Sequence, residues 1–260
     1  MALADLPEST PLLEKHGALA TITFNRPQHR NRLHREDLQA LMAHFAALEV
    51  DTSVRVVVLT GRVLADRPVF CAGYNISQHG DEMEGAHFEE VADTLERLRP
   101  LTICGLNGSV YGGATDFALA CDFAIGVQGM EMRMPAAALG MHYYPGGIAR
   151  YVSRLGVANA KRAFLTGQAF DADALLAMNY VSQLVPREQH AEAVQTLAQQ
   201  LMKLAPLAQQ ELKRSINEFA RGEYDAQRFR ARQQATMASA DFAEGCRAFA
   251  ERRPPVFQGR

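Results

Sequence analysis

Apolar residues recur with two different periods along the first two thirds of the chain. Short apolar runs rich in β-branched residues predict buried strands, and stretches with an apolar residue at every third or fourth position predict amphipathic helices. The predicted strands cover 18–24, 54–59, 101–105, 123–127 and 180–185, and the predicted helices include 38–48, 88–98 and a helix that ends near Cys121. This alternation favours stacked α/β units around largely buried sheets.

Glycine, proline and aspartate mark the ends of the helices that follow. Pro145 suits the first position of a helix that ends at Gly156. Gly167 ends the next helix, and Asp171 is placed to cap the one after it. Each of these residues has the conformational preference that its position requires.

After about residue 186 the chain carries only the helical pattern. We expect about four helices there, with narrow apolar stripes such as Leu197, Leu201 and Leu204. Stripes of this kind on an appended helical layer often complete a neighbouring surface as well as their own. We therefore predict a core domain over 1–198 and a C-terminal helical region over 199–260.

Composition excludes several classes of partner. Of the 260 residues 48% are hydrophobic, and the formal net charge of -2 argues against a nucleic-acid partner. The four cysteines are widely spaced and form no cluster with metal-ligand spacing, which predicts a reduced, metal-free protein. The first thirteen residues lack an apolar stretch long enough for a signal peptide or a membrane span, so we expect a soluble, cytoplasmic protein.

Two adjacent glycines, Gly112 and Gly113, stand at the start of the helix that ends near Cys121. The first backbone N–H groups of a helix lack partners within the helix and lie at the positive end of its dipole, so they favour negative charge. Asp116 falls on the same helical face as Gly113. An oxyanion beside an acid suggests catalysis.

A second glycine turn lies in the segment 70–75. Gly73 permits a tight turn there, after which the N–H of Tyr74 can point outward instead of into a sheet. The N–H groups of Tyr74 and Gly113 could then converge on one oxygen. Spacing alone leaves this open, because glycine turns are more often structural bends.

An ordered set of motifs makes the chain similar to a known family. The motifs occur in this order along the chain: Asn25-Arg26-Pro27 with Asn31, 70–75, 107–113, Cys121-Asp122, Leu139-Gly140, Pro145-Gly146-Gly147, Leu165-Thr166-Gly167 and the closing 249–253. Together they resemble the enoyl-CoA hydratase/isomerase family, the crotonase superfamily, over essentially the whole chain.

The resemblance implies an α/β crotonase (ClpP/crotonase-like) fold of stacked ββα units, with C-terminal helices that pack in homotrimers, often paired into hexamers. It also implies an acyl-coenzyme A thioester substrate and no tightly bound cofactor. The thioester oxygen would receive the N–H groups of Tyr74 and Gly113. Such donors stabilise the enolate-like transition state that forms when a bond beside the thioester carbonyl breaks.

The resemblance further places Ala72, Tyr74, Asn75, Ile76 and Gly113 beside the bound coenzyme. Asn75 stands where the family more usually has Asp. The loop 25–32 lies alongside and carries three arginines, of which Arg30 is the candidate for contact with coenzyme phosphates. A solvated surface is the alternative interpretation of these arginines.

The acid–base positions depart from the family pattern. Typical hydratases of the family carry two glutamates, which activate water and deliver a proton. This chain has Asp116 at the first position and Ala136 at the second. Ala136 cannot transfer a proton. Asp116 is either a shortened base or a charge that favours the first turn of its helix.

The segment His142-Tyr143-Tyr144 offers substitutes for the missing glutamate. Tyr143 resembles in position the tyrosine of the decarboxylase branch, and Tyr144 stands near an aspartate of dienoyl-CoA isomerases. A tyrosine is a proton donor more readily than a base at neutral pH, whereas His142 titrates in the useful range and could act either way. Alternatively, the three residues simply fill an acyl pocket.

The sequence thus predicts an acyl-CoA enzyme, a lyase or isomerase best described as a member of the enoyl-CoA hydratase/isomerase family that lacks the glutamate pair. Two alternatives stay open. One is a decarboxylase or C–C hydrolase of the same superfamily, and the other is a coenzyme A-binding pseudoenzyme.

Overall fold

Two β-sheets carry the core of the protein. The computed structural model describes residues 7–75 and 82–260, with side chains in the second range from residue 87 onward. The first sheet contains, in spatial order, β1 (Leu12–His16), β2 (Leu19–Phe24), β3 (Val56–Gly61), β5 (Leu101–Leu106), β7 (Phe123–Val127) and β10 (Gln183–Val185). The second contains β4 (Val69–Cys71), β6 (Ser109–Tyr111), β8 (Glu131–Arg133) and β9 (Ala169–Asp171). Pairing is parallel except between β1 and β2 and between β8 and β9.

Nine α-helices cover these sheets in the described part of the chain. They are α1 (Arg35–Val50), α2 (Glu82–Arg97), α3 (Ala114–Ala120), α4 (Pro145–Lys161), α5 (Ala172–Ala177), α6 (His190–Met202), α7 (Pro206–Arg221), α8 (Ala226–Met237) and α9 (Ala240–Glu251). None of the helices described is long and apolar enough to cross a membrane. The crotonase fold predicted from the sequence is confirmed.

The central strands of the first sheet are buried on both faces, which explains why β3 and β5 are almost continuously apolar. Val57 and Leu59 of β3 point into the main core, and Val56 and Val58 point to the other face, against α6. Successive side chains of a strand alternate between faces, so a parallel sheet with helices on both sides needs apolar residues at every position.

The predicted helix ends are confirmed. Gly156 has φ +78°, outside the helical range, and ends the first of the two helical segments that make up α4. Gly167 has φ +59° and follows the last helical turn of the second segment. The carboxylate of Asp171 accepts the N–H of Ala174 at 2.9 Å and caps α5. These ends depend on local conformational preferences, which the sequence carries directly.

The prediction of a strand over 180–185 was wrong in its first half, because β10 begins at Gln183. Asn179 has φ +61° and turns the chain, and the Tyr180 hydroxyl donates to the Thr115 carbonyl at 2.8 Å. The sequence also did not reveal β4, β6 and β9, since strands of three residues are too short to show a period.

The C-terminal helices attach to the core through α7. The Lys213 ammonium lies 2.8 Å from the Asp122 carboxylate and donates to the Pro100 carbonyl at 3.1 Å, and Lys213 is buried. The boundary predicted between 198 and 199 falls inside α6, which packs on the first sheet. Large apolar side chains on α7 and α9 are exposed, among them Ile216 and Phe249.

Candidate active site

The two glycine turns predicted to carry the oxyanion donors touch each other backbone to backbone. Gly73 has φ +88°, and a Cβ atom built on it would lie 2.8 Å from the Tyr111 carbonyl oxygen and 3.3 Å from the Gly113 nitrogen. Only glycine accommodates both the positive φ and this approach. The turn that carries Tyr74 and the turn that carries Gly113 are therefore neighbours in space.

A ladder of backbone hydrogen bonds holds the first turn against the loop 25–33. The Ala72 N–H donates to the Arg30 carbonyl, the Leu33 N–H to the Gly73 carbonyl and the Asn75 N–H to the Leu33 carbonyl, each at 2.9 Å. Three of the residues expected to contact coenzyme A, Arg30, Ala72 and Asn75, thus lie along one ladder. Another of these residues, Ile76, lies outside the described residues.

Asn31 fixes the loop 25–33 in place. Its side-chain amide donates to the Phe70 carbonyl at 2.9 Å and to the Arg62 carbonyl at 2.8 Å, and its side-chain oxygen accepts the Arg26 N–H at 2.9 Å. Its φ of +52° belongs to a region that asparagine tolerates better than most residues. Asn31 is buried and acts as the structural link between the two loops.

The second turn opens α3. Gly113 immediately precedes the helix, and its carbonyl accepts the Asp116 N–H at 3.0 Å. No acceptor for the Gly113 N–H lies within hydrogen-bonding distance among the described residues. This N–H therefore lies at the N-terminus of a helix, where it can donate to a negatively charged oxygen.

Phe88 of α2 brings the candidate groups together. A Cβ atom built on Gly113 would lie 2.9 Å from the Phe88 ring. The centroid of the Phe88 ring lies 6.2 Å from that of Tyr74 and 6.1 Å from that of Tyr144. Phe88 also stacks on Phe117 of α3 at 5.0 Å. Both predicted oxyanion residues and one of the predicted tyrosines therefore surround a single apolar ring.

Asp116 is not a free carboxylate. It is 0% exposed, and the Arg150 guanidinium grips both of its oxygens, with Nε at 2.9 Å from Oδ1 and Nη2 at 2.6 Å from Oδ2. The Tyr144 hydroxyl donates to Oδ2 at 2.6 Å. Both oxygens are thus occupied by protein donors and shielded from solvent, so Asp116 is not placed to take a proton from a substrate.

The tyrosine hydroxyls form a chain that ends on Asp116. The Tyr143 hydroxyl donates to the Tyr144 hydroxyl at 3.0 Å, and the two rings stack at 4.1 Å. Burial, followed by the charge of Asp116, raises the pKa of both tyrosines well above the usual value of 10. Both phenols are therefore neutral and can donate a proton but not accept one at neutral pH.

Two further predicted positions lie apart from this chain. Ala136 is buried and offers only a methyl group. His142 is exposed, and its Nδ1 contacts the carbonyl of Tyr143 at 2.8 Å. The structure thus brings Tyr143 and Tyr144 to Asp116, but it does not bring His142.

A cavity of about 220 Å³ lies beside Tyr74. Its lining combines apolar and polar side chains from α1 and α2, and Tyr74 lies at one wall. The other lining residues are Arg35, Leu38, Gln39, Met42, His87, Glu90 and Val91. A dry cavity of about 150 Å³ can bind benzene, so this space is large enough for a small acyl group.

The buried cysteines Cys71 and Cys104 are not placed for thiol chemistry. Cys71 and Cys104 are buried, and burial raises the pKa of Cys71 to about 12 and that of Cys104 well above its usual value. Thiols held in the neutral form are inert. No group of three or more potential His, Cys, Asp or Glu metal ligands occurs among the residues that the structure describes.

Arg150 is a residue of the candidate site that the sequence did not reveal. Its signal was present, since it shares the buried face of α4 with Gly147, Tyr151 and Leu155, where a charge is unusual. Its partner Asp116 is 34 positions away in sequence, so the pairing itself was not visible.

The fold and the paired glycine turns define a class of protein, the acyl-CoA enzymes of the crotonase type. The sequence profile of the enoyl-CoA hydratase/isomerase family matches residues 14–260. The chain belongs to the enoyl-CoA hydratase/isomerase family.

Individual relatives agree with this family. A short-chain-enoyl-CoA hydratase of Clostridium acetobutylicum is 30% identical over 79% of this chain and 80% of its own length. A 2,3-dehydroadipyl-CoA hydratase of Escherichia coli is 28% identical over 96% of this chain and 98% of its own. The crystal structure of an enoyl-CoA hydratase from Bacillus anthracis superimposes with a TM-score of 0.87 at 24% identity, covering 97% of this chain and 100% of that one, which shows the shared fold.

Proposed function

We propose that this protein is an acyl-CoA enzyme that stabilises a thioester enolate between the N–H groups of Tyr74 and Gly113 and delivers a proton to it from Tyr143. The observation that carries the proposal is the hydroxyl chain from Tyr143 through Tyr144 to Asp116, because it is anchored on the helical turn that begins at Gly113. Coenzyme A would enter as part of the substrate, with no other cofactor.

The backbone donors supply the first part of the chemistry. When a bond beside the thioester carbonyl breaks, negative charge moves onto the carbonyl oxygen, and fixed N–H groups stabilise that charge without reorganisation. Removing one donor of this kind typically costs roughly 3 to 4 kcal/mol of transition-state stabilisation. The contact between the two glycine turns supports this assignment.

The tyrosines supply the second part. The Tyr143 hydroxyl gives its proton to the α-carbon of the enolate, and the Tyr144 hydroxyl can reorient to stabilise the phenolate left behind before solvent restores the proton. Asp116, held by Arg150, orients Tyr144 and is not itself the base. Proton delivery by a positioned side chain typically contributes about 10²- to 10⁴-fold to the rate.

This arrangement favours reactions that form the enolate by bond cleavage over hydration of a simple enoyl-CoA. In a decarboxylation, the bond from the α-carbon to the carboxylate breaks, carbon dioxide leaves, and the electron pair moves into the enolate that Tyr143 then protonates. No step needs a free carboxylate base. The specific observations are the buried Ala136 and the ion-paired Asp116.

The test is turnover of a panel of enoyl-, dienoyl-, malonyl- and β-ketoacyl-CoA thioesters by the full chain. Tyr143→Phe should lower kcat about 10²- to 10⁴-fold on the thioester that is turned over, with KM little changed. Tyr111→Phe is the matched control, because the Tyr111 hydroxyl donates to the exposed Glu131 at 2.8 Å.

Undiminished turnover by Tyr143→Phe would contradict the proton-donor role. Calorimetric binding of coenzyme A without turnover of any thioester in the panel would instead identify a coenzyme A-binding protein with no activity of its own.

We also propose that the protein assembles as a homotrimer or as a hexamer formed from two trimers. The exposed apolar side chains of α7 and α9 support it. Light scattering coupled to size exclusion measures the mass directly, and the mass of a monomer would contradict the proposal.

A further inference from the structure

We propose that Arg221, at the end of α7, is a positioning residue for the active site, which acts by holding Glu96 so that Arg150 is left to grip Asp116. The inference rests on the proposed function, since its effect reaches the substrate through Asp116 and the tyrosine hydroxyls. It assigns a part in the chemistry to the C-terminal helices, which lie outside the glycine turns.

The contacts form one continuous chain. Nη1 of Arg221 lies 2.7 Å from Oε2 of Glu96, and the same oxygen lies 3.4 Å from Nη1 of Arg150. Nε and Nη2 of Arg150 bind the two oxygens of Asp116. Glu96 is 5% exposed and Arg150 is 2% exposed, so these charges interact with little screening by water.

The number of charges explains why Arg221 matters. Arg150 faces three carboxylates: Asp116, Asp93 at 2.8 Å and Glu96. Asp93 has a second arginine, Arg97, at 2.9 Å, and Glu96 has Arg221. Asp116 has Arg150 as its only charged partner among the described residues. Asp93 and Glu96 thus each have an additional arginine partner. Nε and Nη2 of Arg150 are therefore left to bind Asp116.

Removal of Arg221 upsets this balance. Among the described residues, Glu96 would then be a buried carboxylate with Arg150, at 3.4 Å, as its single cationic neighbour. A buried unpaired charge is strongly unfavourable, so Arg150 would be drawn toward Glu96 and away from Asp116. The carboxylate that orients Tyr144 would lose part of its support.

The position of Arg221 is itself fixed by the fold. Asn217, one turn earlier on α7, donates its side-chain amide to the Glu96 carbonyl at 3.3 Å. Gly222 ends the helix with φ +73°, and a cation in the last helical turn is favoured by the helix dipole. Helix α7 therefore contacts Glu96 at two points, and the pairing of Arg221 with Glu96 follows from its docking.

The first experiment measures kcat and KM of Arg221→Gln with the thioester identified by the panel. We expect kcat to fall about 10- to 100-fold with KM changed by less than about twofold, because an error of about 1 Å in a catalytic group can cost about 10²-fold in rate. Arg221→Lys should recover most of the loss. Arg214→Gln is the matched control, since Arg214 lies on the same helix in an exposed pair with Glu211.

A double-mutant cycle tests the route through Glu96. If Arg221 acts by holding Glu96, then Arg221→Gln should cause no further loss of kcat in the Glu96→Gln background. Losses that multiply would overturn the proposal, because they would show that Arg221 acts independently of Glu96.

A second readout does not depend on turnover. In protein labelled with ¹³C at the hydroxyl-bearing ring carbon of tyrosine, the resonance of Tyr144, assigned with Tyr144→Phe, reports the hydrogen bond to Asp116. It should move in Arg221→Gln and stay in place in Arg214→Gln. If Arg221→Gln fails to fold, the double variant Arg221→Gln/Glu96→Gln removes the competing carboxylate as well, and its Tyr144 resonance and kcat should match those of Glu96→Gln. A double variant that differs from Glu96→Gln in both would overturn the proposal.

An unmoved Tyr144 resonance and an unchanged kcat in a folded Arg221→Gln protein would overturn the inference. The two proposals fail separately. A loss of activity in Tyr143→Phe but not in Arg221→Gln leaves the proposed function standing and removes only the role of Arg221. Full activity in Tyr143→Phe removes the proposed function.

Discussion

The two sides of the candidate site are built from different parts of the chain. On one side, backbone N–H groups are presented by two glycine turns, and the contact between Gly73 and Gly113 depends on the absence of side chains. On the other side, a buried network of side chains joins Asp116 of α3 to Tyr144 and Arg150, which lie at the start of α4. The backbone side matches the family motifs, whereas the side-chain side departs from them.

This difference explains how one fold supports different reactions. A backbone donor is unaffected by most substitutions, so the turns can keep stabilising an enolate while the acid–base groups change. In this chain the candidate side-chain groups are Asp116, which is paired with an arginine, and the buried Ala136.

The backbone side can be disrupted by one methyl group. Gly73→Ala should lower kcat/KM about 10²- to 10³-fold, because a Cβ 2.8 Å from the Tyr111 oxygen pushes the two turns apart and misplaces a donor. Steady-state kinetics of the purified variant measures the effect.

Gly129→Ala is the control for backbone strain. Gly129 has a similar positive φ of +76°, but a Cβ there meets nothing within 4 Å. Strain without contact costs on the order of 1 kcal/mol of stability, and kcat/KM should be retained. Equal losses of activity in the two variants would mean that the contact between the turns has no part in the chemistry.

The side-chain side should be sensitive in stability as well as in activity. Asp116→Asn leaves the guanidinium of Arg150 without its main partner, and breaking a buried ion pair of this kind typically costs about 3 to 5 kcal/mol. Urea unfolding gives the change in the free energy of unfolding. The exposed pair of Lys15 and Asp51 is the comparison, and Lys15→Gln should cost at most about 1 kcal/mol.

A loss below about 1 kcal/mol in Asp116→Asn would contradict the strength assigned to this pair. In that case the positive charge of Arg150 would be balanced by the two other carboxylates that contact it, those of Asp93 and Glu96.

The smallest expected effect concerns the alkaline pH range. A proton donor must be protonated to act, and a raised pKa extends the range in which it is. Because the pKa of Tyr143 and that of Tyr144 are both raised well above 10, kcat should show no alkaline decline up to about pH 10, where an ordinary tyrosine is half ionised.

This profile is measured with the thioester identified by the panel, after correction for its spontaneous hydrolysis. A decline centred near pH 8 or 9 in a stably folded protein would assign proton delivery to a group other than these tyrosines.

Much of the fold could be predicted from local patterns. The strands β2, β3, β5 and β7 followed from apolar runs, and Gly156, Gly167 and Asp171 marked helix ends because their preferences are local. The strands β4, β6 and β9 could not be predicted in this way, since each has three residues and is stabilised by pairing with distant segments.

The candidate site was predictable to a similar extent. Tyr74 and Gly113 could be proposed as donors because glycine turns leave a mark in the sequence, and the structure places the two turns side by side. The sequence also proposed Tyr143 and Tyr144, whose hydroxyls the structure links to Asp116. The sequence did not reveal that Asp116 forms an ion pair, because that pair depends on Arg150 and the carboxylates around Arg150.

The sequence by itself determined the family, the alternation of strands and helices, and the two glycine turns, because these depend on residue type and spacing along the chain. Only the tertiary structure decided what Asp116 can do. The partners and accessibility of a buried carboxylate depend on its neighbours in space, and those neighbours come from α4 directly and from α2 and α7 through Arg150. For this protein, local sequence predicts the candidate oxyanion turns, whereas packing sets the surroundings of the candidate acid–base groups.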